Sequence, residues 1–237
     1  MPRIAYSFAV IGLLALIPAA PAADEKSPGV AVDKDKRTIT IDARIAPRKI
    51  EHPAYKGEIY PIEVVACWPF LGEPGKGGEK AHETIVTIDL KIKPSTIHKA
   101  LEDLGLKPGT PIAVEGKEPK GPKINVYIEV PGPDGEPKRL TMDKVLLDPK
   151  TKKPFPKSVE FRFTGSNMIQ LDPEKPDKTY GADQSGTLIA IYPVTEKTVC
   201  QTSLTLKEEK YLKLETNKDV LPKEGTPVKL VLEVPAK

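Results

Sequence analysis

Cysteine, histidine, tryptophan and long apolar runs are all scarce in this chain. Among 237 residues there are two cysteines, three histidines and one tryptophan. Two cysteines cannot make a four-cysteine zinc site or a disulfide framework, and no haem-attachment spacing occurs. Three histidines limit the metal chemistry equally. The run "HETIV" is not H-E-x-x-H, because Val86 stands where the second histidine belongs. Aromatics make up 5%, and the 36 basic residues are 30 Lys and only 6 Arg, interspersed with 33 acids. A nucleic-acid surface would gather basic residues, with Arg prominent, on one face, so no nucleic-acid partner is expected. One apolar stretch exists, Ile4–Ile17. It is too short for the ~20 residues of a spanning helix, and no second one follows, so no stable membrane insertion is expected.

That stretch has another reading. "MPR" gives a positive start, the apolar run has the length of a signal h-region, and Ala20 and Ala22 in "PAAPAA" fit the small-residue cleavage rule. The sequence predicts a signal peptide over residues 1–22, cut after Ala22, with an uncleaved anchor as the alternative, and an exported chain in the periplasm or cell envelope. Removing Arg3 takes the net charge from +3 to about +2. Export leaves two readings for Cys67 and Cys200. They can pair as a disulfide, or stand as two small buried hydrophobes.

Proline is plentiful, 26 in all, and falls mostly between apolar runs, which favours short strands and loops over a helical bundle. Residues 23–36 read as a flexible polar lead-in and 37–237 as one domain. "RTITIDARI" alternates as a half-buried strand, and "YPIEVVACW" reads as a central one. "HETIVTIDLKI" alternates again. "KINVYIEVPGPDGEPKRLTMD" is a hairpin about a Pro/Gly turn. "SVEFRFTGS", "GTLIAIYPV" and "TPVKLVLEV" are further strands, and "LDPEKPDKTYGADQSG" a long polar loop. One helix is clear, about residues 95–104: Pro94 and Ser95 start it, Ile97, Leu101 and Leu104 repeat at its period, and Gly105 and Pro108 end it. The fold class is α+β, a mostly antiparallel sheet with that helix packed on it.

The segment "KAHETIVTIDLKIKPSTIHKALEDLGLKPG" resembles the core of the YdjY-like domain family. The matching positions are Lys80, His82 and Glu83, then Pro94, Ser95, His98, Ala100 and Leu101, then Leu104 to Gly109. Weaker similarity continues in "FTGS", "GTLIAIY" and "LPKEGTPVKLVLE". The approach "APRKIEHPAYKGEIYP" and the loop "PFLGEPGKGGEK" are longer than the pattern. The resemblance implies an exported domain of uncharacterised function, and it transfers a fold expectation without a mechanism.

The candidate site is Cys67, Lys80, His82 and Glu83. If the strands holding Cys67 and His82 form a long-looped hairpin, the two lie at the same end, and Lys80 is placed to favour a thiolate. In a regular strand His82 and Glu83 point to opposite faces. They converge only if the strand begins after Glu83 or bulges there. His98 lies beyond a strand spanning roughly 33 Å and is expected at the far end of the sheet, so a two-histidine zinc site is not expected. "GEPGKGG" lacks the spacing and hydroxyl residue of a phosphate loop and reads as a mobile surface loop, notable for its length. No G-x-S-x-G occurs, and Ser166 has no sequence-level partner. Trp68 reads as a core anchor. No cofactor is implied. The function expected is a non-catalytic binding or structural module for an unknown envelope ligand or protein. The alternative is an enzyme or redox-linked protein using the four candidate residues.

Overall fold

The computed structural model describes residues 28–236. The expected signal peptide lies outside them. The strands are β1 (Val30–Asp33), β2 (Thr38–Ile45), β3 (Val64–Cys67), β4 (Thr84–Ile88), β5 (Lys123–Pro131), β6 (Pro137–Thr141), β7 (Leu146–Leu147), β8 (Phe161–Phe163), β9 (Met168–Gln170), β10 (Lys178–Tyr180), β11 (Thr187–Ala190), β12 (Cys200–Thr202), β13 (Glu215–Thr216) and β14 (Pro227–Glu233). The helices are α1 (Pro94–Asp103), α2 (Met142–Val145), α3 (Ala182–Ser185) and α4 (Leu206–Tyr211).

The α+β expectation holds in outline, but the sheet is not open. Eight strands follow one another as β2-β14-β5-β8-β12-β11-β3-β4, and β4 pairs back onto β2, which closes a barrel. Closure works because β2 and β5 each split one edge between two partners. β2 meets β1 along Thr38–Ile41 and β4 along Ala43–Ile45. β5 meets β8 at Lys123 and Ile124 and β6 from Tyr127 to Pro131. β1 thus lies within the stretch read as lead-in, where the charges of "DKDK" mask a four-residue strand.

Side chains fill the barrel, as eight strands allow. Leu230 lies level with Ile41 on one side and Ile128 on the other, and all three are fully buried. α1 adds Ile97, Ala100, Leu101 and Leu104 to the same core. It covers the end where β3 and β4 finish: the Trp68 indole N–H, just past β3, donates to Ile92 O just past β4 at 2.9 Å. Trp68 packs on the core, as expected. The helix start differs in detail. Ser95 is inside the first turn, and the carboxylate of Asp183 takes both its N–H (2.8 Å) and its hydroxyl (2.6 Å). The exit is a Schellman turn: Leu106 N–H donates to Leu101 O and Gly105 N–H to Glu102 O, with Gly105 at φ +86.

Two adjacencies are parallel, β3–β4 and β11–β12. The sheet is otherwise antiparallel, as expected, but the long-looped hairpin expected between the strands of Cys67 and His82 is corrected to a parallel crossover. Parallel neighbours need a connection of a dozen or more residues. Residues 68–83 are that connection, which accounts for the length of the Gly/Lys loop. The loop is also built: Phe70 and Gly77 form a β-bridge, Gly78 N–H donates to Pro69 O, and Glu79 N–H to Ser185 O. Beneath it Ile50, Val64, Cys67, Ala81 and Ala190 form a second small core outside the barrel wall. Irregular register between β11 and β3 turns both Val64 and Cys67 that way. The stretch 171–186, read as a long polar loop, holds β10, which pairs with β9, and α3, so it is not irregular throughout.

Candidate functional site

Lys80, His82 and Glu83 come together at the barrel end away from α1. β4 begins at Thr84, one residue after Glu83, so the strand starts late and the opposite-face objection does not apply. Glu83 N–H donates to Lys80 O at 3.0 Å, a tight turn that throws the three side chains to one side. Glu83 O receives the N–H groups of Glu63 and Val64, which sets the turn against the start of β3.

Glu63 completes the group. The Lys80 ammonium lies 2.6 Å from Glu63 Oε2 and 2.7 Å from Glu83 Oε2, and His82 Nε2 lies 3.4 Å from Glu83 Oε1. The Glu83 side chain is only 10% exposed. Its contact with Lys80 is close but off the hydrogen-bond axis, so Oε2 has no aligned donor among the described residues. Burial pushes the Glu83 carboxyl up, but His82 and Lys80 outweigh it and hold the pKa at about 2. Glu63 moves the other way: burial, with Glu83 nearby, raises its pKa against the pull of Lys80. Burial would lower Lys80, and its two carboxylates reverse that and raise it. The ammonium therefore stays charged and occupied.

Aromatic rings wall the group. His82 stacks on Tyr55 (centroids 4.4 Å, planes 32° apart) and meets the edge of Tyr60 at 4.8 Å. Tyr55 also contacts Phe70 and His52 edge-on. Burial and the Glu83 charge raise the Tyr55 phenol. His82 Nδ1 is buried and has no hydrogen-bond partner among the described residues.

Arg48 ties this assembly to the barrel. Its side chain is 5% exposed and forms a two-point pair with Glu215, at 2.7 and 3.2 Å. The same guanidinium donates to His82 O (3.3 Å) and Tyr60 O. Burial raises the Glu215 pKa, but the bonds from Arg48 more than offset it and the net shift is downward.

The structure brings Lys80, His82 and Glu83 together and leaves Cys67 out. With β3 and β4 parallel, Cys67 is level with Thr87, at the opposite end of the strand pair from His82. Its thiol is fully buried, donates to Trp68 O at 3.1 Å, and is pushed up to about 12 by burial. Cys200 is equally buried, in the main core, and both cysteines are free thiols. His98 sits at the α1 end, against the Tyr180 hydroxyl (2.7 Å) and the Phe163 ring. Sequence reasoning missed Arg48, Tyr55, Tyr60, Glu63 and Glu215. Glu63 had a legible signal, as the one acid inside the apolar run "PIEVVAC". Arg48, Tyr55 and Tyr60 depend on how the "APRKIEHPAYKGEIYP" segment folds back, which no period encodes, and Glu215 lies 167 residues from the Arg48 it pairs with.

A family model, the YdjY domain, matches residues 30–233. The chain belongs to the YdjY domain family. Its match begins at β1 and ends with β14, so the family unit is the whole barrel with its α1 end-piece. No curated protein and no solved structure matches this chain. In YdjY terms, the Lys-x-His-Glu segment is the turn that enters β4, and the Pro-Ser-x-x-His helix closes the other barrel end.

Proposed function

We propose that this YdjY domain is an exported, non-catalytic binding or structural module whose recognition face is the loop assembly around Tyr55, Tyr60 and His82. One observation carries this reading: the charges of the Lys80 group are spent on one another. An acid–base catalyst works best with a pKa near the working pH. Glu83 is held near 2, Lys80 is ion-paired with two carboxylates, Glu63, though its pKa is raised, is taken up by the Lys80 ammonium, and the Cys67 thiol stays protonated. Export rests on the Ile4–Ile17 run and the cleavage motif after it. The test is metal analysis of the purified mature protein together with the mass of its N-terminus. Metal-free protein beginning at Ala23 supports the reading. Stoichiometric metal overturns the non-catalytic part, and a retained leader overturns the cleavage.

A second reading, an enzyme using Lys80, His82 and Glu83, draws on the unpartnered Nδ1 of His82. Cys67 has no part in it unless native protein reacts with iodoacetamide at neutral pH, for which a thiol near 12 supplies no thiolate.

A further inference from the structure

A cavity of about 480 Å³ is lined by Ile45, Leu221, Pro222, Arg48, Lys218 and Lys223, with Glu224 at its side. We infer that it is a binding pocket for a small amphipathic anion, a carboxylate or phosphate head on a short apolar body, and that Lys218, Lys223 and Arg48 receive the head.

Four observations build the pocket. First, its walls are fixed without a ligand. Ile45 N–H donates to Thr226 O, Gly225 N–H to Ile45 O, and Arg48 N–H to Glu224 Oε1 at 2.9 Å, so the 217–226 turn is stitched to the end of β2. Second, the wall chemistry is split. Ile45 (5% exposed), Leu221 (9%) and Pro222 give an apolar side, and Lys218 and Lys223 add two cationic residues to the lining. Third, the cations are available. Lys218 and Lys223 are exposed and have no carboxylate partner among the described residues. Fourth, buried Arg48 has a donor to spare. Four of the five N–H groups of a guanidinium go to Glu215, Tyr60 and His82, which leaves one on Nη1. The one carboxylate that faces the cavity, Glu224, has an oxygen occupied by the Arg48 backbone. A cavity of this size, apolar with a few convergent polar groups, has the form of small-molecule sites generally. The sign of the unpaired charges selects an anion.

Arg48 borders both this cavity and the loop face, but the two readings are tested separately, because neither lysine is paired with the Lys80 group. Octanoate is the probe, titrated into the purified protein by calorimetry, with 1-octanol and acetate as body-only and head-only controls. Saturable one-to-one binding of octanoate is expected, tighter than either control. The Lys218→Ala/Lys223→Ala double variant removes two exposed side chains and keeps the fold. It is expected to weaken octanoate about five-fold and octanol not at all, with the gap closing at high salt. No saturable octanoate binding, octanol binding as tightly as octanoate, or an unaltered affinity in the double variant overturns the proposal.

Discussion

Replacing Glu83 with glutamine removes the central charge of the site while keeping its size. The native carboxyl is lowered from its ordinary 4.5 to about 2. That difference corresponds to about 3 kcal/mol of extra stability for the ionised form, at 1.36 kcal/mol per tenfold change in proton affinity. The sign follows from linkage. A carboxyl with a depressed native pKa contributes its stability above the unfolded value and loses it as pH falls through the native one. The wild-type contribution is thus present at pH 5 and above and disappears between about pH 4.5 and 2. Glu63 works against it, because its pKa is raised and its protonation on acidification recovers stability. The net effect expected of Glu83→Gln at pH 7 is therefore about 2–3 kcal/mol of destabilisation. Between about pH 4.5 and 2 the variant should have the flatter stability curve, so the two proteins converge. Urea unfolding at a series of pH values measures this. A variant within about 0.5 kcal/mol of wild type at pH 7, or parallel curves down to about pH 2, refutes the reasoning.

Gly186→Ala places a Cβ 2.7 Å from the Trp68 ring at a φ of +67, so about 2–4 kcal/mol of stability should be lost, read by urea unfolding with the fluorescence of the single tryptophan. Unchanged stability would contradict that packing. Asp183→Ala strips Ser95 of both its bonds at the start of α1 and should cost about 1–2 kcal/mol in the same assay. Thiol titration should find Cys67 and Cys200 unreactive in the native protein and two thiols after unfolding without reductant. A count of zero would mean a disulfide.

The strand periods were legible because they are short-range. Ile39 and Ile41 in β2, and Val228, Leu230 and Leu232 in β14, point inward as alternation predicts. The α1 exit was legible because Gly105 and Pro108 act locally. Closure of the barrel was not, since it depends on β4 meeting Ala43–Ile45 beyond the reach of β1, a pairing decided by sheet curvature. The parallel β3–β4 adjacency hid for a related reason: a long loop serves a hairpin or a crossover equally well, and only the fold decides. At the site, the late start of β4 at Thr84 is what lets Glu83 and His82 meet, a condition legible from the strand period. A hairpin would set Cys67 beside His82, and the parallel crossover sets it at the other end of the strand pair. Glu215 lies 167 residues from Arg48 in sequence, and nothing local pairs them.

The central claim is that the Lys80, His82 and Glu83 charges are satisfied within the protein. Carbon-13 NMR of side-chain carboxyls in glutamate-labelled protein, with Glu83 assigned by the Glu83→Gln variant, tests it most directly. The account predicts that the Glu83 carboxyl titrates near pH 2, well below an ordinary glutamate. A midpoint at 4.5 or above would contradict it, and would mark Glu83 as a group free to exchange protons with a substrate.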